Sequence, residues 1–586
     1  RDWLEDHGFT VQATTDWTLT ATGPAHLLER RLPPALRGSV ASAVRDSSRP
    51  VRSRSIPTGY APEAVREAYA ATAGGAGATV ATIQFSGWRA RDAQVFAGAA
   101  GIDLQPGQIT SVPVTGARTD EPDGFGGDFE VALDVQGVLG AAPQARQLVF
   151  VAPNTAAGAI AAYEAVATRA ERDGLTAVSV SWGACELDTA PALMASVELS
   201  LARMVAAGAT VFAASGDAGA YGCAAEGAPD GRRSVDYPAS SPSVLAVGGT
   251  TLRPDGAGWA ETAWSDRSGS TSGYAGAGTG GGLSARFAAP PWQAGLGLDG
   301  RRGVPDLAAV ADPRTGVGVY APDTDGRRRW QSAGGTSLSA PLLAGQLASA
   351  VTGLGRTLGL GRLHVPFYAS PRAFRDVVTG DNLRESARPG YDLATGLGSP
   401  RWAALSPLLL QPALLAPPAT ASRIVPVTTY APVSPGAVYG LAESTDAACA
   451  GRGPLPTDLA LADGPDRVAT VVLAVTDGTG CRTSSRAVVL DRTPPATTAG
   501  LRPTRRPGVL ALSWAGSDPT PSAGLATVTW RLRRTDTGEV VASGTAARSG
   551  SLLRSVAAGL AHRLEVEAVD RVGNTAAPAV SPDATA

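Results

Sequence analysis

The sequence predicts an α/β fold in which helices flank a mainly parallel sheet. Short apolar runs typical of buried strands recur between residues 80 and 247, and longer helical patterns separate them. The strand-like runs are residues 80–85, 148–152, 178–182, 210–214 and 244–247, and the helical stretches include residues 159–170 and 190–206. Strands that alternate with helices indicate βαβ units, whose functional loops lie at the carboxyl ends of the strands.

Composition excludes several classes of protein. The chain has 586 residues, of which 44% are hydrophobic and 17% charged, so several globular domains are expected and a disordered chain is not. Its net charge is -2 and its basic residues form no stripe, so nothing indicates nucleic-acid binding. The sequence contains no uninterrupted apolar run of about 18 residues, which argues against a transmembrane helix.

A serine motif lies at residues 335–341, GTSLSAP, ahead of an apolar Ala/Leu-rich helix. Proline fits the first turn of a helix, so we expect the helix to start just before Pro341 and its positive end to face an oxyanion formed at Ser337. The segment resembles the GTSxSAP signature of subtilisin-like serine peptidases. Ser337 is therefore the candidate nucleophile.

The base that would activate this serine is not an obvious histidine. The chain has four histidines, and none lies in a convincing motif. The segment 126–135 instead carries Glu130 and Asp134 four residues apart, on one face of a predicted helix. A solvated helix face would explain the spacing alone, but the surrounding residues are apolar nearly all round. We therefore expect both acids to be buried and to shift each other's pKa.

A third acid, Asp217, follows the apolar run 210–214 in a turn flanked by glycines. Together Glu130, Asp134, Asp217 and Ser337 resemble the catalytic set of the sedolisin family, the serine-carboxyl peptidases, which have a subtilisin-like fold. Further matches follow in the family's order from about residue 55 to about residue 405, and they lie at residues 181–186, 237–242, 247–250, 304–306 and 312–313. Within these matches we expect Asp306 and Asp312 to be structural acids in turns.

The resemblance implies a role for each residue. Ser337 attacks the scissile carbonyl, Glu130 takes its proton, and Asp134 holds Glu130 through a shared proton. Asp217 replaces the neutral oxyanion donor of subtilisins, and a carboxyl group donates a hydrogen bond only when it is protonated. The implied enzyme is a secreted endopeptidase of proteins or peptides that works in acid. Some family members extend the acidic network with a further glutamate, but this chain has Gln84 there, so the network is expected to stop at Asp134.

Two alternatives stay open. One is a neutral subtilisin with His364 as the base, although His364 follows the serine in the chain and the acidic helix would then have no role. The other is a catalytically inactive peptidase fold that acts as a scaffold and binds cell-surface or polymeric ligands through its C-terminal modules. Intact Glu130, Asp134, Asp217 and Ser337 argue against the scaffold.

A loop after the serine helix resembles the calcium loop of sedolisins. By that resemblance one structural Ca²⁺ is held by the side chains of Asp376 and Asp392 and by the backbone carbonyls of Val377, Arg388 and Gly390. Calcium prefers such oxygen ligands. Position 388 is often glycine in relatives, but only its carbonyl is needed. A Gly/Asp-rich surface loop without metal is the alternative.

The ends of the chain resemble other modules. Residues 1–50 are similar to the last part of a sedolisin propeptide, which acts as inhibitor and folding aid, and residues 46–58 form a linker that is cut on activation. The peptidase domain is expected at residues 51–410. Short alternating runs predict an Ig-like β-sandwich at 419–493 and an Ig-like or fibronectin-like one at 494–586. These modules act as spacers or contact the cell envelope or a polysaccharide.

The four cysteines divide between two predicted domains. Cys185 and Cys223 lie in the peptidase domain, and Cys449 and Cys481 lie in the first β-module. The even count indicates two disulfides and an oxidising, extracellular compartment, although the sequence does not fix the connectivity and free buried thiols stay open.

Overall fold

The structure, a computed structural model, divides into two compact units, residues Arg1–Leu410 and Gln411–Ala586. It describes residues 59–586 except residues 73, 125, 224–230, 257, 268–275, 358, 432–436, 452, 455–456, 478–479 and 547. Before residue 59 it describes only the backbone of three short strands. Most of the predicted propeptide, with two of the histidines, therefore lies outside the described residues.

The first unit alternates strands and helices along the chain. Its helices are α1 (Pro62–Ala68), α2 (Ala90–Ala99), α3 (Gly127–Ala141), α4 (Ala156–Asp173), α5 (Pro191–Ala206), α6 (Thr336–Gly353), α7 (His364–Ala369) and α8 (Trp402–Leu405). Its strands up to the end of α5 are β1 (Thr10–Thr14), β2 (Leu19–Thr22), β3 (Arg49–Pro50), β4 (Thr79–Gln84), β5 (Ile109–Pro113), β6 (Arg146–Val151), β7 (Ala177–Val180) and β8 (Trp182–Cys185). The later strands are β9 (Thr210–Ala214), β10 (Asp236–Tyr237), β11 (Leu245–Asp255), β12 (Gly258–Ala263), β13 (Ser265–Asp266), β14 (Ala277–Gly278), β15 (Gly282–Ala288), β16 (Arg301–Val304), β17 (Leu307–Val310), β18 (Val317–Pro322), β19 (Arg328–Ala333), β20 (Phe374–Arg375) and β21 (Ser399–Pro400).

An eight-stranded sheet forms the centre of this unit, in the order β12-β11-β9-β7-β4-β6-β5, with β17 also paired to β11. All of its pairings are parallel except the pairing of β11 with β12. The predicted parallel sheet flanked by helices is therefore confirmed. The predicted run 178–182 is divided, because β7 ends at Val180 and Trp182 begins β8 in a separate small sheet with β10 and β3.

The two helices that carry the candidate catalytic residues, α3 and α6, pack directly against each other. A Cβ atom at Gly345 would lie 2.7 Å from the Cβ of Ala141 and 3.0 Å from the carbonyl oxygen of Val138. A Cβ at Gly137 would lie 3.2 Å from a ring carbon of Pro341. Glycine at these two positions thus lets the acidic helix approach the serine helix closely.

The predicted start of the serine helix was wrong. Helix α6 begins at Thr336, so Pro341 lies inside it and not in its first turn. Because proline has no N–H, the carbonyl oxygen of Ser337, four residues earlier, loses its usual helical partner. The hydroxyl of Ser181 lies 3.1 Å from that oxygen instead and shares its single proton between it and Asp134. A side chain from outside the helix thus compensates in part for the hydrogen bond that the interior proline removes.

The second unit is rich in strands. Its elements are β22 (Ala413–Leu415), β23 (Ala419–Thr420), β24 (Ile424–Pro426), β25 (Thr428–Tyr430), β26 (Val438–Ala442), α9 (Thr445–Ala450), β27 (Asp458–Ala460), β28 (Arg467–Asp477), β29 (Gly480–Leu490), β30 (Ala496–Pro503), β31 (Val509–Ser517), β32 (Leu525–Arg534), β33 (Val540–Ala546), β34 (Ser549–Ser555), β35 (Ala561–Asp570), β36 (Ala579–Val580) and β37 (Ala584–Thr585). One apolar cluster draws on residues between 414 and 490, and another draws on residues between 501 and 584. This pattern is compatible with two β-sandwiches, whose boundaries at 419–493 and 494–586 stay a prediction.

Candidate active site

Ser337 is the second residue of α6 and is fully buried. Its hydroxyl is hydrogen-bonded to the carboxyl of Glu130, and its Oγ also lies 3.5 Å from the carbonyl oxygen of Ser181. Oε1 of Glu130 is buried and has no hydrogen-bond partner among the described residues. The structure therefore brings the predicted nucleophile and the predicted base into direct contact.

Glu130 and Asp134 lie one turn apart on α3, and both are buried, as expected from the apolar residues around them. Burial, followed by the charge of Asp134, raises the pKa of Glu130 well above its usual value, and the hydrogen bond from Ser337 opposes this rise. Burial also raises the pKa of Asp134 to about 7, against two hydrogen bonds that lower it. Two coupled buried carboxyls lose their protons in separate steps, so one proton is shared over a wide range of pH.

Two polar side chains hold Asp134 directly, and a third holds one of these two. Ser181 Oγ donates to Oδ1 of Asp134 at 2.6 Å, and Gln84 Nε2 donates to Oδ2 at 2.6 Å. Trp182 Nε1 in turn donates to Oε1 of Gln84 at 2.8 Å. Among the described residues, the row of carboxyl groups therefore ends at Asp134. The hydrogen bonds continue from there through the side-chain amide of Gln84. Ser181 and Trp182 lie in a recognised motif, but the sequence did not indicate their contacts with this network.

Asp217 follows β9 and approaches the first residue of α6. The backbone N–H and the hydroxyl of Thr336 donate to Oδ1 of Asp217 at 2.8 and 2.9 Å. Oδ2 is buried and has no hydrogen-bond partner among the described residues. Burial raises the pKa of Asp217 to about 7, against the two hydrogen bonds from Thr336. Asp217 is thus a protonated carboxyl in acid, with one oxygen left for a further partner.

His364, the alternative base, makes its contacts elsewhere. Its Nε2 donates to the carbonyl oxygen of Val244 at 2.9 Å and lies 3.6 Å from Asp306, and its ring packs against Trp292. Burial lowers its pKa. The ionisable group that contacts Ser337 is the carboxyl of Glu130, so this geometry does not favour the histidine alternative.

The loop expected to bind calcium is folded around its two aspartates. Asp376 accepts a hydrogen bond from the N–H of Gly390 at 2.8 Å, and Asp392 accepts one from the N–H of Arg388 at 3.0 Å. Asp376 and Gly390 also line a groove of 440 Å³. Among the described residues, no backbone N–H donates to the carbonyls of Val377, Arg388 or Gly390. These oxygens and the two carboxylates suit a hard cation such as Ca²⁺.

The cysteines form two disulfides, Cys185–Cys223 and Cys449–Cys481, so the expectation of two disulfides is confirmed. The first disulfide joins β8 to the end of the loop that carries Asp217. On its other edge, β8 pairs antiparallel with the backbone of β3, with Arg49 opposite Gly183 and Pro50 opposite Trp182. The chain's own N-terminal segment therefore lies along the strand that starts next to Ser181.

Comparison with known proteins finds similar peptidases. The model of the subtilase family matches residues 115–361. Kumamolisin from Bacillus sp. (strain MN-32) is 38% identical over 388 residues, which cover 62% of this chain and 66% of kumamolisin. A solved structure of Pseudomonas sedolisin, a serine-carboxyl proteinase complexed with two molecules of pseudo-iodotyrostatin, is 30% identical with a TM-score of 0.53. That match covers 60% of this chain and 98% of the sedolisin chain.

This chain belongs to the sedolisin family. Sedolisin from Pseudomonas sp. (strain 101) is also similar, at 33% identity over 323 residues. The chain spans 66% of kumamolisin and 53% of this sedolisin. Membership agrees with the subtilisin-like fold and with the acidic residues beside Ser337. None of the helices that the structure describes has the length and apolar character needed to cross a membrane.

Proposed function

We propose that this sedolisin-family chain is an extracellular serine-carboxyl endopeptidase that hydrolyses proteins or peptides in acid. The observation that carries the proposal is the hydrogen bond between the Ser337 hydroxyl and the Glu130 carboxyl. A serine hydroxyl is a weak nucleophile until an adjacent base accepts its proton, and Glu130 is the group in position to do so.

Each side chain then has a chemical role. Glu130 accepts the proton from Ser337 Oγ as this oxygen attacks the scissile carbonyl, and it later gives the proton to the leaving amine. Asp134, held by Gln84 and Ser181, keeps Glu130 in place through a shared proton. Asp217 donates from Oδ2 to the oxyanion, where a donor aimed at the developing charge lowers the barrier most.

Acid activity follows from the two opposite protonation states that this mechanism needs. Asp217 must carry a proton, and burial raises its pKa to about 7. The Glu130–Asp134 pair must have lost one of its two protons so that one carboxylate accepts the serine proton. Both conditions are met together where the pair has begun to lose its first proton and Asp217 still holds its own, since burial raises the pKa of Asp134, like that of Asp217, to about 7. At neutral pH and above, Asp217 ionises and stops donating, so activity declines.

The proposal includes one structural calcium ion, held by Asp376, Asp392 and the carbonyls of Val377, Arg388 and Gly390. When bound, the ion holds the loop after α7 in place, and no chemical step depends on it. Metal analysis of the purified protein should find about one Ca²⁺ per chain, as expected for a single site of this kind. The Asp392→Asn variant should lose most of it, and undiminished calcium in that variant would contradict the site.

The proposal also covers residues 1–50 as inhibitory propeptide and the linker 46–58 as the segment cut on activation. The antiparallel pairing of β3 with β8 supports this role, because a peptide added to that strand blocks access to Ser337. Adding a synthetic peptide of residues 1–50 to the processed enzyme should inhibit it. A lack of inhibition at excess peptide would remove this part of the proposal.

Extracellular location is supported by the two disulfides, which persist in oxidising compartments. Detection of the chain in the culture medium of its source, and not in cell lysate, would establish secretion. Envelope or polysaccharide binding by residues 419–586 stays a prediction. A pull-down with cell envelope or polysaccharide that recovers none of this segment would contradict it.

The experiment that tests the central proposal is hydrolysis of denatured protein from pH 2 to 8 by the acid-activated chain. Activity should be highest in acid and decline as Asp217 loses its proton, and it should disappear in Ser337→Ala and fall steeply in Glu130→Gln. Fragments from within the substrate identify an endopeptidase. A neutral optimum that survives Glu130→Gln would favour a histidine base, and no activity at any pH would favour the scaffold.

A further inference from the structure

Thr336 lies between the nucleophile and the proposed oxyanion donor, and the mechanism above gives it no role. It is the first residue of α6, directly before Ser337, and it is fully buried. Its methyl group lies against β11, since a Cβ atom at Gly249 would be 3.5 Å from Cγ2 of Thr336. A β-branched side chain has few rotamers, and packing restricts them further. The hydroxyl of Thr336 is therefore held in one place.

Two neighbours determine where the proton of this hydroxyl points. The backbone N–H of Gly216 donates to Oγ1 of Thr336 at 3.1 Å, so Oγ1 is an acceptor on that side. On the other side Oγ1 lies 2.9 Å from Oδ1 of Asp217. A hydroxyl donates one hydrogen bond and can accept another at the same time. The single proton of Thr336 is thus directed at Asp217.

Oδ1 of Asp217 consequently receives two donors, because the backbone N–H of Thr336 also donates to it at 2.8 Å. In a protonated carboxyl group one oxygen carries the proton and donates, and the other is a carbonyl oxygen with two lone pairs that accept. Two donors on Oδ1 stabilise the form in which Oδ1 is this carbonyl oxygen. The proton is then on Oδ2, which has no hydrogen-bond partner among the described residues.

We propose that Thr336 is a positioning residue that confines the proton of Asp217 to Oδ2, the oxygen that donates to the oxyanion. This inference rests on the proposed peptidase function. A carboxyl group can hold its proton on either oxygen, and with the proton on Oδ1 the oxyanion would meet a bare carbonyl oxygen. A donor that is oriented before the reaction stabilises the developing charge without reorganisation at that moment.

The same hydroxyl has a second effect, which acts against the first. Hydrogen bonds to an ionised carboxylate are about twice as strong as those to a neutral group. Thr336 therefore lowers the pKa of Asp217, against burial, which raises it to about 7. The other groups whose charges act together with Asp217 are acids, Glu130 of α3 and Asp236 of β10. Removing the hydroxyl should weaken the donor and yet keep Asp217 protonated to higher pH.

The test measures kcat from pH 2 to 8 with one internally quenched peptide and the full, acid-activated chain. Thr336→Val keeps the shape of threonine without the hydroxyl, and Thr336→Ser keeps the hydroxyl. Thr336→Val should lower kcat at the acid optimum about 2- to 10-fold, as for one neutral hydrogen bond. Its decline toward neutral pH should lie higher than in the wild type by about half to one pH unit. Thr336→Ser should restore most of kcat and the wild-type position of the decline.

Two controls show whether the effect passes through Asp217. The hydroxyl of Thr251 donates to the buried Asp312 at 2.8 Å, so Thr251→Val removes the same kind of hydrogen bond at a structural acid. It should leave the pH dependence of kcat unchanged. In the background Asp217→Asn no carboxyl titrates at this position. There Thr336→Val should no longer move the pH dependence.

Infrared difference spectroscopy locates the proton without any change at Thr336, so it decides the question even if Thr336→Val does not fold. Spectra of Ser337→Ala minus those of Ser337→Ala with Asp217→Asn, at about pH 5, isolate the C=O stretch of the protonated Asp217 carboxyl. We expect the low frequency of a carbonyl that accepts two hydrogen bonds. A higher frequency would mean that Oδ1 is not the carbonyl oxygen and would overturn the inference.

The outcomes separate this inference from the proposed function. Suppose that the wild type cleaves the peptide in acid, but the decline in Thr336→Val stays at the wild-type pH or moves lower. The role of Thr336 would then be overturned and the peptidase left intact. A shift of the same size in Thr251→Val would overturn it equally. No cleavage by the wild type between pH 2 and 8 would instead contradict the proposed function itself.

Discussion

Two clusters of buried acids in the same unit behave in opposite ways. In the candidate active site, burial raises the pKa of Asp134 and Asp217 to about 7. At Asp306 burial acts in the same direction, but the charges and hydrogen bonds of Arg302 and His364 together outweigh it, and the pKa falls below its usual value. The residue type is the same, and Asp134 and Asp306 are both fully buried, whereas Asp217 is partly buried. The difference lies in the partners, which are hydroxyl, amide and carboxyl groups in one cluster and a guanidinium in the other.

The contacts of Asp306 explain its behaviour. Arg302 donates to both carboxylate oxygens, at 2.9 and 2.5 Å, and both side chains are almost completely buried. The hydroxyl of Tyr368 and the backbone N–H of Ala246 add further hydrogen bonds at 2.7 and 2.8 Å. Asp306 is thus a fixed anion. Among the described residues, no such cation acts on the acids near Ser337, and this leaves them able to exchange protons at the pH where the enzyme is proposed to work.

The largest expected effect on activity comes from replacing Asp217. The variant Asp217→Ala should lower kcat about 10²- to 10³-fold at the acid optimum, because it removes one oxyanion donor. Asp217→Asn is the matched variant, since an amide donates a hydrogen bond at every pH. It should retain more activity than Asp217→Ala, and its activity should extend further toward neutral pH. The measurement is the pH dependence of kcat with a single peptide, and two variants that lose activity equally would contradict the donor role.

The second prediction concerns the buried ion pair of Arg302 and Asp306. Replacing Arg302 by methionine leaves Asp306 buried without its counter-ion, which typically costs about 3–5 kcal/mol in the free energy of unfolding. The control is Arg301→Met, an exposed neighbour that should change stability little. Denaturant unfolding at pH 6 measures both. A loss in Arg302→Met no larger than in Arg301→Met would show that the ion pair does not hold Asp306 as an anion.

These two clusters also show what the sequence could and could not predict. The motif around Asp306 identified a structural acid, but no spacing in the sequence indicated its pairing with Arg302. The acidic helix was predicted correctly as buried because its neighbours are apolar nearly all round. The local sequence pattern predicts well which side chains are buried. The partner of a buried charge depends instead on how distant segments of the chain pack together.

The same limit explains the errors in the fold. Strand β9 was predicted at its observed bounds, 210–214, because a glycine-flanked turn ends it. The break between β7 and β8 was missed, since the chain changes sheets inside a continuous apolar run. The start of α6 was predicted wrongly because the hydroxyl that approaches the Ser337 carbonyl left free by Pro341 comes from Ser181. This residue is 156 residues away from Ser337 in the chain.

The smallest expected effect is the pH dependence of stability, where the two clusters act in opposite directions. Burial raises the folded pKa of Asp134 and of Asp217 to about 7, from the ordinary aspartate value of 3.8. The folded state therefore binds more protons than the unfolded state, and this contribution is complete below about pH 4 and lost as pH rises to about 7. Asp306, whose folded pKa is lowered, contributes stability above about pH 4 that is lost in stronger acid.

The free energy of unfolding should therefore decline between about pH 4 and pH 7, by up to about 1.4 kcal/mol per pH unit for each extra proton that the folded state holds. Denaturant unfolding of Ser337→Ala across this range measures the slope without self-digestion. In the same background, Asp134→Asn with Asp217→Asn should reduce the slope, because an amide does not titrate, and Glu130, whose pKa burial also raises, supplies what remains. An equal slope in both proteins would mean that the active-site acids ionise at ordinary pH values, and the contrast with Asp306 would then disappear.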